Sequence, residues 1–294
     1  MIKLFDAHAD TAYELWRKKE HLNRNNCHID AEKAREYEVY AQVFAFCSLA
    51  GTKWSLGNQE FLDCFTYFKR ELAEQDKILP YFSIEGPEVI GCDPDALGAL
   101  VEEKFVMTTL TWNSDNALAG WHGSEKGLTQ QGKNYVKASQ DLGILIDVSH
   151  LSETAFWNVM NITQKPIVAS HSNARKIWDC SRNLTDDQLR AISQTGGMVG
   201  LNLYVDFLGE TAGFETMRRH LEHMLHICGE KQVCLGGDLD GCDRLPEGFK
   251  DLADYCKFYD YLKNCGYDDS LLENLFYHNL HRIIEGDKGW RCMQ

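Results

Sequence analysis

Eight short apolar runs recur along the chain: 2–5 (IKLF), 39–47 (VYAQVFAFC), 78–84 (ILPYFSI), 105–110 (FVMTTL), 143–148 (GILIDV), 166–169 (PIVA), 197–203 (GMVGLNL) and 232–236 (QVCLG). Each has the length and the Val, Ile, Leu and Phe content of a buried strand. Amphipathic stretches long enough for helices lie between them, at 58–76, 94–104, 129–142, 152–163, 185–195 and 213–229, with two more at 251–264 and 269–285. Several carry start signals: Ser152 before ETAFWNVM, Thr185 with Gln188 as a capping box, and Asp268 or Ser270 before the last helix. Eight strand–helix units in 294 residues predict an α/β fold, a (β/α)8 TIM barrel forming a single domain over 1–294, with an open parallel sheet as the rival. Segments 18–38 and 112–128 are insertions on that scaffold. A barrel demands that functional residues stand just past the C-terminal ends of its strands.

At those positions the residue types change. The first run leads into DAHAD, with His8 and Asp10 two apart and so on one face of a strand. The third ends in Glu85, the fourth runs into Trp112 and Asn113, the fifth into His150 and the sixth into His171. The seventh gives Asn202 and Tyr204, and the eighth Asp238 and Asp240. Taken singly, each has a plainer use: His150 and His171 as helix caps or hydrogen-bonded loop residues, Glu85 closing a Gly-Pro turn, Asp238 as a cap in a Gly-Asp loop. Taken together, three His, two Asp and one Glu at one rim are donors for two divalent metals. Imidazole and carboxylate without thiolate fit zinc, manganese or iron, and three His favour zinc. His220, His223 and His226 lie at near-helical spacing and read as a helix stripe, and His278 and His281 as helix packing.

Composition removes several function classes. A net charge of -14 argues against nucleic acid as a partner, since phosphate contacts need clustered Lys and Arg. No apolar run approaches the roughly 20 residues that cross a bilayer. A strand begins almost at once, with no room for a signal peptide. The eleven cysteines are odd in number and form no CxxC pair, so reduced thiols and a cytoplasmic location are expected.

The same residues resemble the membrane dipeptidase (renal dipeptidase) family of zinc peptidases, within the amidohydrolase-like barrels. The resemblance runs through DAHAD, IEG, GLTQQGKNYVKASQDLGILIDVSHLSE, SHSNAR, RNLTDDQL, GGDLDG and LPEG, in family order, with 21 residues from His150 to His171. It implies two Zn2+ per chain, other divalent metals being an option. His8 and Asp10 would ligate one metal, His150 and His171 the other, and Glu85 would bridge them. Asp238 matches the acid that handles protons beside a metal-bridging hydroxide. Arg182 matches the arginine that binds the terminal carboxylate of a dipeptide substrate.

Two departures qualify the match. Trp112 stands where the family's well-studied members carry a histidine that holds the scissile carbonyl oxygen, so Asn113 or a neighbouring loop would have to help there. Phe207 falls near an expected aromatic hydroxyl, with Tyr204 close by in sequence. The expectation is therefore a zinc-dependent dipeptidase with substrate contacts from Arg182, Trp112, Asn113 and Tyr204. Two alternatives accompany it: a binuclear metal amidohydrolase acting on N-acyl amino acids, lactams or lactones, and a metal-stabilised scaffold without turnover. No membrane partner is expected; a homodimer is an option, because the family often dimerises, but the sequence does not give the oligomeric state.

Overall fold

The computed structural model describes residues 1–47 and 58–286. Eight parallel strands close into a barrel in chain order: β1 (Lys3–Ala9), β2 (Val39–Cys47), β3 (Ile78–Glu85), β4 (Phe105–Thr109), β5 (Leu145–Asp147), β6 (Ile167–Ala169), β7 (Met198–Leu201) and β8 (Val233–Leu235). β1 pairs with β8 through Asp6 and Leu235, which excludes the open-sheet alternative. The helices are α1 (Thr11–Lys18), α2 (Asn58–Ala73), α3 (Pro94–Gly98), α4 (Gln130–Asp141), α5 (Glu153–Ile162), α6 (Asp186–Gln194), α7 (Val205–Leu208), α8 (Phe214–Cys228), α9 (Tyr255–Asn264), α10 (Asp269–Glu273) and α11 (Asn279–Ile284).

Alternate strand residues fill two separate volumes. Phe5, Ala7, Val43, Met107, Val168 and Met198 point into the barrel, where Leu280, Ile283 and Ile284 of α11 close the N-terminal mouth. Leu4, Phe44, Phe46, Phe82, Ile146 and Val199 face the surrounding helices. The long β2–β3 pairing runs from Tyr40 opposite Ile78 to Cys47 opposite Glu85, and carries Glu85 to the C-terminal rim. One mouth is therefore plugged with aliphatic side chains, and polar groups are free to converge at the other.

Capping sets several helix starts. Ser152 accepts from Ala155 N–H, Thr185 and Gln188 form a reciprocal capping box, and Asp268 rather than Ser270 caps α10. The stretch expected as one helix over 94–104 divides instead. Pro94 and the Asp93 cap start α3, Gly98 ends it, and a 3-10 turn at Val101–Glu103 follows. The 251–264 stretch opens with a 3-10 turn before α9, and the last stretch is broken by a π-turn at Asn274–His278. Among the described residues, no helix is long and apolar enough to cross a membrane.

Candidate active site

His8, Asp10, Glu85, His150, His171 and Asp238, foreseen at the rim, meet in one buried cluster, whereas the Asp240 carboxylate accepts from the Thr11 hydroxyl and His28 N–H instead. His8 lies in β1 where pairing with β2 slips between Asp6 and Ala9, an irregularity of the kind that re-aims a side chain. Asp10 is the N-cap residue of α1 and Glu85 the last residue of β3. His150, His171 and Asp238 follow β5, β6 and β8 within three residues. Glu85 Oε1 lies 3.0 Å from His150 Nε2, 3.5 Å from His171 Nε2 and 3.6 Å from His8 Nε2. His8 Nε2 is 3.6 Å from Asp10 Oδ2 and 3.9 Å from Asp238 Oδ1. The two nitrogens His150 Nε2 and His171 Nε2 are 2.9 Å apart.

The local backbone is built for this convergence. His150 and Asp238 both have left-handed φ values, 70° and 56°, where a side chain is disfavoured and which cluster at functional sites. The neighbouring chain holds them there: His150 O accepts from His122 N–H at 2.7 Å, and Asp238 N–H donates to His8 O at 3.1 Å. Gly241 is required by close approach, because a Cβ there would sit 2.1 Å from Asp10 Oδ2 and 2.3 Å from Asp238 Oδ1. Below the cluster, Asp6 accepts from His8 N–H at 2.9 Å and Gly237 N–H at 2.9 Å, and from the Tyr255 hydroxyl of α9, binding β1 to the β8 loop.

The charge balance of the cluster is unusual. Burial, with Arg182 nearby, pushes His150 well below the ordinary imidazole range, and burial with His8 does the same to His171. Both are therefore neutral, as metal-ligating imidazoles must be. At His8, burial works the other way from its surroundings. The carboxylates of Glu85, Asp10 and Asp238 outweigh burial and lift it to about 10. Burial also pushes Glu85 up to about 8 and Asp238 up to about 6, with neighbouring carboxylates adding to the effect. So many carboxylates around so few cations make the pocket one that favours positive charge.

A pair of divalent metals fits this donor set. His8 Nδ1, His8 Nε2 and Asp10 Oδ1 are buried without a hydrogen-bond partner among the described residues, which is costly for groups that ligate nothing. Ligand atoms about 2.0–2.2 Å from a zinc ion stand roughly 3–4 Å from one another, which matches the separations above. Two trios, Glu85–His150–His171 and His8–Asp10–Glu85, share Glu85, and a third, His8–Asp147–His171, lies adjacent.

Above the cluster opens a cavity of about 220 Å³. Asp10, Glu85, His150 and Asp238 form its floor, while Trp112, Asn113, Arg182, Tyr204 and Phe207 line its walls. His8 and His171 lie beneath. Arg182 is buried, with Nε unpartnered and its guanidinium carbon 5.2 Å from the centre of the Phe207 ring. The Phe207 ring meets Tyr204 edge-on at 4.9 Å. Asn113 also turns inward, its Oδ1 2.9 Å from His150 Nδ1. The His220 of the helical stripe is packing: it bonds Leu208 O at 3.0 Å and accepts from Ala174 N–H at 3.2 Å.

Other contributors had no assigned role from sequence. Asn202 Nδ2 donates to Asp238 Oδ2 at 3.3 Å, and Ser170 Oγ lies 2.7 Å from His171 Nδ1 while also bonding Asp147. Asp147 carried one signal, a carboxylate set inside the otherwise apolar run GILIDV. Cys47, the last residue of β2, and Glu14 of α1 also line the cavity.

Comparison with known proteins agrees with this geometry. Residues 58–288 match the family model described as membrane dipeptidase, peptidase family M19. A protein of the pqqA 5′ region of Klebsiella pneumoniae is 38% identical over 237 residues, which cover 76% of this chain and 87% of that protein. Mouse dipeptidase 3 is 32% identical over 160 residues, 54% of this chain but only 32% of that longer protein. The crystal structure of a metallopeptidase from Rhodobacter sphaeroides, liganded with a phosphinate mimic of the dipeptide L-Ala-D-Ala, superposes with a TM-score of 0.86 at 25% identity. That superposition covers 97% of this chain and 99% of the other.

Proposed function

From the premise that the chain belongs to the membrane dipeptidase family, peptidase family M19, and is a metallo-dipeptidase, we propose that it is zinc-dependent and hydrolyses dipeptides with a free C-terminal carboxylate. The observation that carries this reading is Glu85 Oε1 standing within 3.6 Å of three histidine nitrogens in a buried, partly unpartnered cluster. In it, His8 and Asp10 would hold one zinc ion, His150 and His171 would hold the other, and Glu85 is the carboxylate common to both groups. When bound, the metal pair supplies Lewis acidity toward the scissile carbonyl and acidifies water toward neutrality.

The chain's own residues do the rest. Arg182, which lies over the Phe207 ring, binds the substrate carboxylate in a charge-assisted pair. The distance from that cation to the metal cluster limits substrate length, so dipeptides fit and longer peptides do not. Asp238 Oδ1 takes the proton that water loses on attacking the carbonyl carbon, and returns it to the nitrogen as the C–N bond breaks, giving two amino acids. Trp112 and Tyr204 wall the cavity, and the indole of Trp112 has one N–H to donate and no ionisable proton. The described cysteines are all unpaired thiols, which fits the proposed cytoplasmic location. The proposed homodimer is read directly by light scattering.

Trp112 favours one second reading, hydrolysis of N-acyl amino acids, lactams or lactones by the same metals, because a carbonyl held without an imidazole need not belong to a dipeptide. A panel of L,L- and L,D-dipeptides beside N-acyl amino acids, lactams and lactones, with metal counted per chain, tests both. The expected result is two zinc ions and dipeptide turnover. Turnover of only the other substrates establishes the second reading, and inactivity on all of them with zinc bound overturns both.

A further inference from the structure

The structure assigns Asp147 and Ser170 to one joint function as positioning residues. Together they lock His171 in the tautomer with hydrogen on Nδ1, so that Nε2 faces the metal cluster as a bare lone pair. The inference rests on the reading of His171 as a metal ligand. Asp147 closes β5 and is buried. Its Oδ1 accepts from Ser149 N–H at 2.9 Å and Ser170 N–H at 3.0 Å, which fixes the carboxylate plane. Its Oδ2 accepts from Ser170 Oγ in a short hydrogen bond. Ser170 Oγ in turn lies 2.7 Å from His171 Nδ1.

The direction of both bonds follows from counting hydrogens. A carboxylate accepts only, and a serine hydroxyl has one hydrogen, so that hydrogen points at Asp147. Toward His171 the same oxygen can only accept, and Nδ1 must carry a proton. A neutral imidazole has one N–H, which leaves Nε2 free, 3.5 Å from Glu85 Oε1. The other two histidines lack such a lock. His150 Nδ1 meets the amide of Asn113, which can present either oxygen or NH2 by turning over, and His8 Nδ1 has no partner among the described residues. Partners behind a ligating histidine commonly change metal affinity about 10- to 100-fold.

Asp147→Asn tests this with little change of shape. The amide oxygen keeps the two backbone bonds, while its NH2 now donates to Ser170 Oγ. The hydroxyl hydrogen is then redirected to His171 Nδ1, and the ring proton moves to Nε2, where it blocks ligation. Ser170→Ala only cuts the link and leaves the tautomer unforced. The ordering expected from competition titrations with a zinc chelator is therefore specific. D147N loses about 10- to 100-fold in affinity for one metal, S170A loses less, and adding D147N to S170A changes nothing further. Long-range 1H–15N histidine spectra of the metal-free protein should show His171 as Nδ1–H in the wild type and Nε2–H in D147N.

A wild-type-like His171 spectrum and zinc affinity in D147N would overturn the relay, as would losses that add in the double variant. Should D147N not fold, S170A decides: an unchanged Nδ1–H signal and unchanged affinity overturn it. A wild type that binds no zinc removes the metal reading itself, while the metal-free spectra still decide the tautomer.

Discussion

Asn202 donates from Nδ2 to Asp238 Oδ2 at 3.3 Å, and this contact leaves the other carboxylate oxygen without a bond from Asn202. Asn202 is itself fixed, since the same Nδ2 reaches His171 O at 3.2 Å and its Oδ1 accepts from Tyr204 N–H at 2.6 Å. Oδ1 of Asp238 is left facing His8 and the cavity floor. Asp238→Asn removes the proposed proton carrier and keeps the shape. It should lower kcat by about 10²–10⁴ with both metals retained, as steady-state kinetics with metal analysis will read. Asn202→Ala should lower kcat by about 10- to 100-fold with KM little changed, the size of a lost hydrogen bond to a charged group. An unchanged kcat in D238N would remove Asp238 from the proton path.

Arg182 gives a prediction about substrate rather than chemistry. Its guanidinium is buried against Phe207, with Nε unpartnered, so its natural complement is an incoming carboxylate. Arg182→Ala should raise KM for a dipeptide by about 10- to 150-fold with a smaller effect on kcat, from a charge-assisted bond of about 1.5–3 kcal/mol. A dipeptide amide, which lacks the carboxylate, should be turned over poorly by the wild type and equally poorly by the variant. A variant that still discriminates acid from amide would place the carboxylate elsewhere.

What could be read in advance follows from how local each signal is. His8, Glu85, His150, His171 and Asp238 stood out because each is a polar group directly at the end of an apolar run, and parallel closure brings such ends together. Strand existence was legible for the same reason, but extent was not. Run 143–148 contributes only Leu145–Asp147, because the chain must turn immediately to deliver His150. The slip at His8 leaves no mark in the sequence. Asp147 and Ser170 are 23 residues apart and meet only through β5–β6 pairing, and Ser170 on its own is an ordinary loop serine. Cys47 reaches the cavity because β2 lies beside β3, again a property of the closed sheet.

Removing metal should unfold the site before the barrel. Without cations, Asp10, Glu85 and Asp238 face one another around His8 with buried unpartnered atoms, whereas α11 still plugs the far mouth. Chelation should lower Tm, and zinc at about 1,000 times its Kd should restore about 4 kcal/mol. Far-UV circular dichroism should change little below the transition. A Tm indifferent to chelator, with metal loss verified by mass spectrometry, would contradict a cluster held together by cations.

His220 predicts an acid-side loss of stability that is independent of the metals. Its two ring nitrogens have opposite duties, donating to Leu208 O and accepting from Ala174 N–H, so only the neutral ring with hydrogen on Nε2 satisfies both. Burial pushes its pKa down from 6.5 to about 4. The unfolded chain therefore binds a proton below pH 6.5 that the folded chain refuses until about pH 4, and stability falls as pH drops through that window. The full effect is on the order of 3 kcal/mol. Urea unfolding of the wild type and of His220→Gln, at about pH 7.5 and about pH 5 on either side of the ordinary imidazole pKa, isolates it. Carboxylates and other histidines contribute equally to both proteins. The wild type should lose more stability on acidification than the variant, even where the variant is weaker at the higher pH. Equal losses in the two proteins would show that His220 binds its proton as readily in the folded chain as in the unfolded one, so that its contact to Ala174 N–H does not hold the ring neutral.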